Sequence, residues 1–463
     1  MKKIFFIVVA IIATSNVFAQ DISGSWNGTL NVGIKLRLVF TIELNNGIYT
    51  TTMDSPDQGV KGIPTSATSF ENQEITISIQ ALNASYKGRL ENDSIKGIFT
   101  QSGASFPLLL TKGEVAEIRR PQDPQTPFSY QSEDIRFENH KANITLAGTL
   151  TYPKSGNNFP TVILVSGSGA QNRNSEILNH RPFLVLSDYL TRNGIAVLRY
   201  DDRGTAESGG TYATASMQDF ATDAEAAIEY LKTRNEINSA KIGVIGHSEG
   251  GTIAFILAGE NNDIAFIISM AGAAVRGDSL MKEQRYMIGK ASGLSDEAIA
   301  ANEELVATLY NIVETHSAEF ILAHINELIE ELLPEDEQLK EIARKMYQQE
   351  ISRFLSPEIL SIIKFDPTNS LQNVSCPVLA LNGDKDLQVA ADTNLQQVEK
   401  LVKSSVTTKK YANLNHLFQP CETGLINEYS VIETTISPEV LKDISDWILS
   451  VTKQKSVGTV IRA

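Results

Sequence analysis

The chain of 463 residues predicts an α/β fold, a doubly wound and mostly parallel sheet with a helical segment inserted in it, preceded by a small all-β barrel or sandwich. Three observations carry this prediction. From about 21 to 112 the apolar residues alternate with period two between frequent turn signals, the pattern of short antiparallel strands. Beyond about 160, continuous apolar runs alternate with helical patterns, as in a parallel sheet covered on both faces. Between Arg276 and Lys364 the strand signal disappears and the chain reads as amphipathic helix, an excursion long enough to form a subdomain or lid.

Each element follows in order. Residues 1–19 place Lys2 and Lys3 before an apolar run at 4–13 and end in Val17-Phe18-Ala19, a secretory signal peptide cut before Gln20. Such a run spans only about 15 Å of helix, half of a hydrocarbon core. The mature chain is therefore expected to be soluble and exported, periplasmic or secreted, with no membrane span. The all-β domain occupies 20–115, with an alternating segment at 35–44, an Asn45-Asn46-Gly47 turn and further strands at 75–79 and 94–100. A linker at 116–130 carries Pro121, Pro124 and Pro127, which block both helix and central strand. The α/β domain spans 131–455. Its strands read at 161–165, 196–200, 241–245, 265–270 and 377–381, with helices at 183–192, 218–232 and 251–257. The helical insertion covers 276–364, and a last helix at 438–451 carries Trp447.

Composition narrows the function classes. The chain is 42% hydrophobic and 21% charged, with 40 Lys and Arg against 55 Asp and Glu, a net charge of −15. That sign excludes a phosphate-binding surface and so a nucleic-acid partner. Much of the excess acid falls in the insertion, which disfavours strongly anionic ligands. The only cysteines, Cys376 and Cys421, rule out a four-cysteine zinc site and a disulfide framework. Cys376 precedes its strand and Cys421 follows the loop carrying His416, so they are expected near opposite ends of the sheet, about 17 to 20 Å apart and too far for a bridge.

The sharpest local signal is KIGVIGHSEGGTIAFILAG at 241–259, an apolar strand, then Gly246-His247-Ser248-Glu249-Gly250, then a helix. Glycines two residues before and after a serine suit a tight strand-to-helix turn that exposes a nucleophile. A serine hydroxyl needs a base, itself oriented by an acid, and on a doubly wound sheet these follow in the order Ser, Asp, His. The strand at 377–381 runs into Asn382-Gly383-Asp384-Lys385-Asp386, and a later strand at 406–411 leads to Asn415-His416-Leu417. His416 is the only histidine after the acidic turn. Asp384 directly follows Gly383 and suits turn stabilisation, so Asp386 is the candidate acid. His140, His180, His247, His316 and His324 read as structural or solvated. Oxyanion donors are expected from the backbone N–H of Glu249 and from the glycine-rich loop Ser166-Gly167-Ser168-Gly169, with Ser168 favoured and Gly167 the near alternative. That loop lacks the spacings of phosphate-binding glycine motifs. The RYDDRG run at 199–204 reads as buried ion pairing that holds a loop. No metal or cofactor is called for.

With SGSGAQNR at 166–173, RYDDRG at 199–204, GHSEGG at 246–251, NGDKDLQV at 382–389 and NHLFQ at 415–419, the sequence resembles the α/β-hydrolase superfamily over about 132–453. It is most similar to secreted bacterial esterase-like hydrolases that pair an N-terminal β-domain with a capped catalytic domain. The resemblance implies an α/β-hydrolase fold, Ser248, Asp386 and His416 at the triad positions, and a helical cap at 276–364. Many relatives carry His-Gly where this chain has Ser166-Gly167, a departure that bears on the oxyanion donor. The superfamily includes carboxylesterases, thioesterases and peptidases, so the fold does not choose among them. The leading expectation is a serine carboxylesterase acting on small acyl esters. A serine peptidase or thioesterase on the same triad is the alternative, with Glu327, Glu330 or Glu331 as anchors for a peptide amine. A different class of reading makes the β-domain a lipid- or glycan-binding module, though Trp26 and Tyr49 read as core.

Overall fold

The computed structural model describes residues 21–32, 35–58, 60–113 and 119–453. The leader at 1–19, its cleavage position and the first part of the 116–130 stretch lie outside the described residues. The chain divides into two compact units, one up to Glu117 and one from Ile118 onward.

The first unit contains β1 (Gly24–Asn31), β2 (Lys35–Asn45), β3 (Ile48–Ser55), β4 (Val60–Pro64), β5 (Ala67–Glu71), β6 (Glu74–Ile79), β7 (Ala84–Glu91), β8 (Ser94–Gln101) and β9 (Ala104–Lys112). They form one antiparallel sheet in the order β4-β3-β2-β1-β9-β8-β7-β6-β5. The β2–β3 turn shows how sequence sets register. Asn46 and Gly47 take φ 52° and 80° and Asn45 pairs with Ile48, a two-residue hairpin that needs residues tolerant of positive φ. The sheet curls back on itself, since Thr68 on β5 donates to Thr51 Oγ1 on β3 at 2.9 Å. Alternate residues fill the inside, among them Trp26, Phe40, Ile77 and Tyr86. Trp26 is buried with its indole N–H on the Ile22 carbonyl at 2.7 Å. Tyr49 is half-buried, edge-on to Phe70.

The second unit is built on β10 (Tyr130–Asn139), β11 (Ile144–Pro153), β12 (Phe159–Val165), β13 (Ala196–Tyr200), β14 (Ile237–His247), β15 (Ile267–Met270), β16 (Val378–Gly383) and β17 (Val406–Tyr411). The order is β10-β11-β13-β12-β14-β15-β16-β17. The β10–β11 hairpin, which the strand pattern beyond 160 does not include, adds an antiparallel edge, and β11 meets β13 antiparallel; the remaining pairs are parallel. All of β13 is buried, which is why these strands read as unbroken apolar runs.

Helices cover both faces: α1 (Pro182–Arg192), α2 (Met217–Lys232) and α3 (Glu249–Glu260). The insertion follows β15 as α4 (Gly277–Ala291), α5 (Asp296–Thr315), α6 (Ala318–Glu330), α7 (Glu337–Phe354) and α8 (Pro357–Lys364), and then come α9 (Thr368–Asn373), α10 (Ala391–Leu401) and α11 (Pro438–Thr452). Phe220, Ala224 and Ile228 of α2 and Ile253 of α3 pack on one face of the sheet. Leu186 and Leu190 of α1 with Ile444 and Ile448 of α11 pack on the other. The insertion has its own core, including Leu309, Val313, Ile321, Phe354 and Ile363.

The proline-rich stretch is held to the second unit rather than left free. Arg120 donates to the carbonyls of Ser430 and Ile432, both at 2.9 Å, and Gln122 donates to the Ile436 carbonyl at 2.7 Å. Strand order reverses at β12, with the next strand on one side and the following one on the other. The crevice outside the carboxyl ends of β12 and β14 is therefore the natural site in such a sheet.

Candidate active site

Ser248 stands in that crevice, between β14 and α3, and adopts φ 55° and ψ −121°. A non-glycine residue in this region is strained and persists only where its surroundings enforce it. The enforcement is visible. Ser248 N–H donates to the Met270 carbonyl at 2.9 Å, and the two glycines allow the turn to close. A Cβ on Gly246 would lie 1.9 Å from the Gly250 carbonyl oxygen, and one on Gly250 would lie 2.1 Å from that of Val165. The hydroxyl sits at the start of α3, where the helix dipole favours negative charge.

The acid turn and the histidine loop follow β16 and β17. His416 Nδ1 donates to Asp386 Oδ2 at 2.8 Å, and both side chains are buried. The other carboxylate oxygen of Asp386 accepts from the N–H groups of Gln388 and Val389 at 2.8 and 2.9 Å, so the acid is aimed by its own loop. Asp384 instead accepts from Asn413 N–H at 2.7 Å, tying the acid turn to the histidine loop. Asn415, wholly buried, braces that loop by accepting from Leu417 and Gln419 N–H, each at 3.0 Å.

His247 links serine to histidine. Its Nε2 donates to the His416 carbonyl at 2.9 Å, and the two rings lie 4.8 Å apart. Burial, with the neighbouring His416, pushes its pKa down to about 4, so it works as a neutral donor that fixes the backbone of His416. Among the described residues no hydrogen bond joins Ser248 Oγ to His416.

The loop after β12 approaches from the other side, where a Cβ on Gly167 would be 3.1 Å from Ser248 Cβ. The N–H groups of Gly167, Ser168 and Glu249 make no hydrogen bond among the described residues. Ser166 Oγ donates to Asp202 at 2.5 Å and Gln171 N–H donates to its second oxygen at 2.9 Å. Burial pushes Asp202 up to about 7. The rest of RYDDRG also pairs outward: Asp201 with Arg173 at 2.6 Å and Arg203 with Asp223 at 2.7 Å.

A cavity of about 850 Å³, mouth included, opens at Ser248 and Ser168. Its walls are largely apolar, with Met217, Leu280, Met281, Ile359, Ile362 and Phe365 among them. Two carboxyls at the site escaped the motif reading. Glu249, singled out only for its N–H, is buried and lines the cavity, and its Oε1 has no hydrogen-bond partner. Burial, then the Glu358 and Asp202 charges, push it up to about 8. Glu358 comes from α8 and accepts from Gly169 N–H at 2.8 Å. Nothing local marks it, since an acidic residue in a helix's first turn is ordinary. Glu327, Glu330 and Glu331, considered as amine anchors, are instead exposed, and Glu330 pairs with Lys340 and Arg344. Cys376 and Cys421 are both free thiols. No helix among the described residues is long and apolar enough to cross a membrane.

Comparison with known proteins adds to this geometry. The chain is 25% identical over 325 residues to the esterase EstD of Thermotoga maritima, covering 70% of this chain and 68% of that protein. Among solved structures it is similar to an esterase of Pyrococcus furiosus, with a TM-score of 0.42, 17% identity and coverage of 71% of this chain and 93% of the other. The esterase Est1E of Butyrivibrio proteoclasticus with ferulic acid bound has a TM-score of 0.41 and 16% identity, covering 69% and 100%. Residues 181–420, more than half of the chain, match the family described as serine aminopeptidase, S33. They run from the start of α1 through the acid turn and the histidine loop, and the chain belongs to that family of α/β-hydrolases.

Proposed function

We propose that the protein is a serine carboxylesterase that hydrolyses esters of apolar acids through an acyl-enzyme on Ser248. The observation that carries this reading is the strained Ser248 on the wall of a largely apolar cavity, with its neighbour His247 bonded to the backbone of the histidine that pairs with Asp386. His416, with its Nδ1 proton held by Asp386, takes the Ser248 proton at Nε2 as Oγ attacks the ester carbonyl. The oxyanion forms against the N–H of Glu249 and that of Ser168 or Gly167. His416 then protonates the departing alcohol, and water activated by the same imidazole releases the acid. The serine-to-histidine bond is the open link in this arrangement, and such bonds tighten when substrate binds. Export after cleavage near Ala19 belongs to the same reading, tested by locating the processed chain after cell fractionation.

The deciding experiment is p-nitrophenyl ester hydrolysis by wild type and Ser248→Ala. Wild-type turnover with an inactive variant supports the assignment, and equal rates refute it. A peptidase reading also has an observation behind it, the carboxyls of Glu249 and Glu358 near the nucleophile, together with the family match. Faster turnover of aminoacyl p-nitroanilides than of p-nitrophenyl esters would favour it.

A further inference from the structure

One cap helix reaches down to the loop that holds the proposed oxyanion donors. Ser356 caps α8 by accepting from Ile359 N–H, and Pro357 occupies its first turn, the makings of an independent helix start. The carboxylate in that turn nevertheless points out of the insertion. Glu358 Oε1 accepts from Gly169 N–H at 2.8 Å and from the Tyr212 hydroxyl at 2.5 Å. One turn on, Ser361 Oγ accepts from Met217 N–H, the first residue of α2, at 3.2 Å. Ile359 and Ile362 of the same helix line the cavity, and Ile363 is buried in the cap core. A two-turn helix thus joins the cap core, the cavity wall and the loop after β12.

That loop is pinned at both ends by Asp202 on the sheet side, through Ser166 and Gln171. Its middle runs past Ser248, where Gln171 Nε2 donates to the Ser168 carbonyl at 3.4 Å. Of the N–H groups at 167–169, only that of Gly169 is bonded among the described residues, to Glu358 and to the Tyr212 hydroxyl that Glu358 itself holds. A preorganised donor is worth far more than one that must be ordered during reaction.

We propose that Glu358 is a positioning residue: by holding Gly169 N–H it keeps the Gly167 and Ser168 N–H groups aimed at the oxygen of an acyl group on Ser248, so that the cap completes the oxyanion hole. This rests on the serine-hydrolase reading above. The cap is then part of the catalytic apparatus rather than a cover that selects substrates.

The test compares Glu358→Ala, which removes the acceptor, with Glu358→Gln, which keeps an acceptor of the same reach. Loss of one oxyanion donor costs roughly 10²- to 10³-fold in kcat, so loosening this loop should lower kcat about 10- to 100-fold in Glu358→Ala. KM for p-nitrophenyl butyrate should change less than about threefold, since the interaction is made in the transition state. Glu358→Gln should recover most of the rate. Affinity for phenylboronic acid, which forms a tetrahedral adduct on a nucleophilic serine, should fall with kcat. Glu358→Met fills the same space without an acceptor and carries the test if the alanine variant does not fold. A lowered melting temperature with wild-type kcat and boronate affinity overturns the proposal. The two readings fail separately: an active Ser248→Ala sinks the hydrolase mechanism, whereas an inactive Ser248→Ala beside a fully active Glu358→Ala sinks only the role of Glu358.

Discussion

Replacing Glu249 by Gln should stabilise the second unit by an amount that grows with pH. Glu249 is 8% exposed, and one carboxyl oxygen is buried without a partner. Its pKa rises from 4.5 to about 8, through burial first and the Glu358 and Asp202 charges next. Below pH 4.5 the group is protonated in folded and unfolded chains alike, and stability is unaffected. Between 4.5 and about 8 the unfolded chain releases a proton that the folded chain keeps, so stability falls as pH rises. Each unit costs about 1.4 kcal/mol, which sums to about 5 kcal/mol over the interval and then levels off. Gln has the same shape and no proton to lose, so its own burial cost is the same at every pH. Urea unfolding of both proteins at pH 5, 6.5 and 8, followed by Trp447 fluorescence, measures the difference. The variant should gain about 4 kcal/mol on wild type between pH 5 and 8. Asp202, raised to about 7, titrates in both proteins and largely cancels. A gap that does not change with pH would refute the reasoning, because it would mean that Glu249 is ionised in the fold and finds a partner there.

Other expectations follow from the same geometry. Ester turnover by wild type should decline above about pH 8, as an anion forms beside the oxyanion, and Glu249→Gln should lose that limb of the pH–rate profile. Asp386→Asn disrupts the bond that sets the His416 tautomer, and steady-state kinetics should show kcat down about 10³- to 10⁴-fold with a small change in KM. Gly246→Ala places a methyl 1.9 Å from the Gly250 oxygen, and equilibrium unfolding should show a loss of more than about 3 kcal/mol, beyond ordinary overpacking. Arg203→Met strands the buried Asp223 carboxylate, and the same assay should show about 3–5 kcal/mol lost at neutral pH.

What could be read from the chain is what is local in it. The elbow at 246–250 is legible because a strand-to-helix turn with φ 55° at its serine demands glycines at fixed offsets. The acid and histidine loops are legible because each directly follows an apolar strand, and the structure brings Asp386 and His416 to 2.8 Å. The β10–β11 hairpin is less legible, since β10 is largely exposed along one face and the buried middle of β11 includes Thr149 and Thr151, which interrupt the apolar run. The glutamates of α6 and the turn after it look like ligands in sequence and are solvated in the fold, because a helix's outer face carries charge whether or not it has a use.

By itself, then, the sequence determined the α/β class, the helical insertion and the strand-to-helix turn that carries Ser248, because periodicity and turn chemistry act over a few residues. Only the tertiary structure decided that one Glu249 carboxyl oxygen is buried without a partner, that His247 clamps His416, and that Tyr212 and Glu358, 146 positions apart, share a hydrogen bond beside the loop after β12. Burial and long-range hydrogen bonding depend on which surfaces meet, and no local pattern in the chain records that meeting.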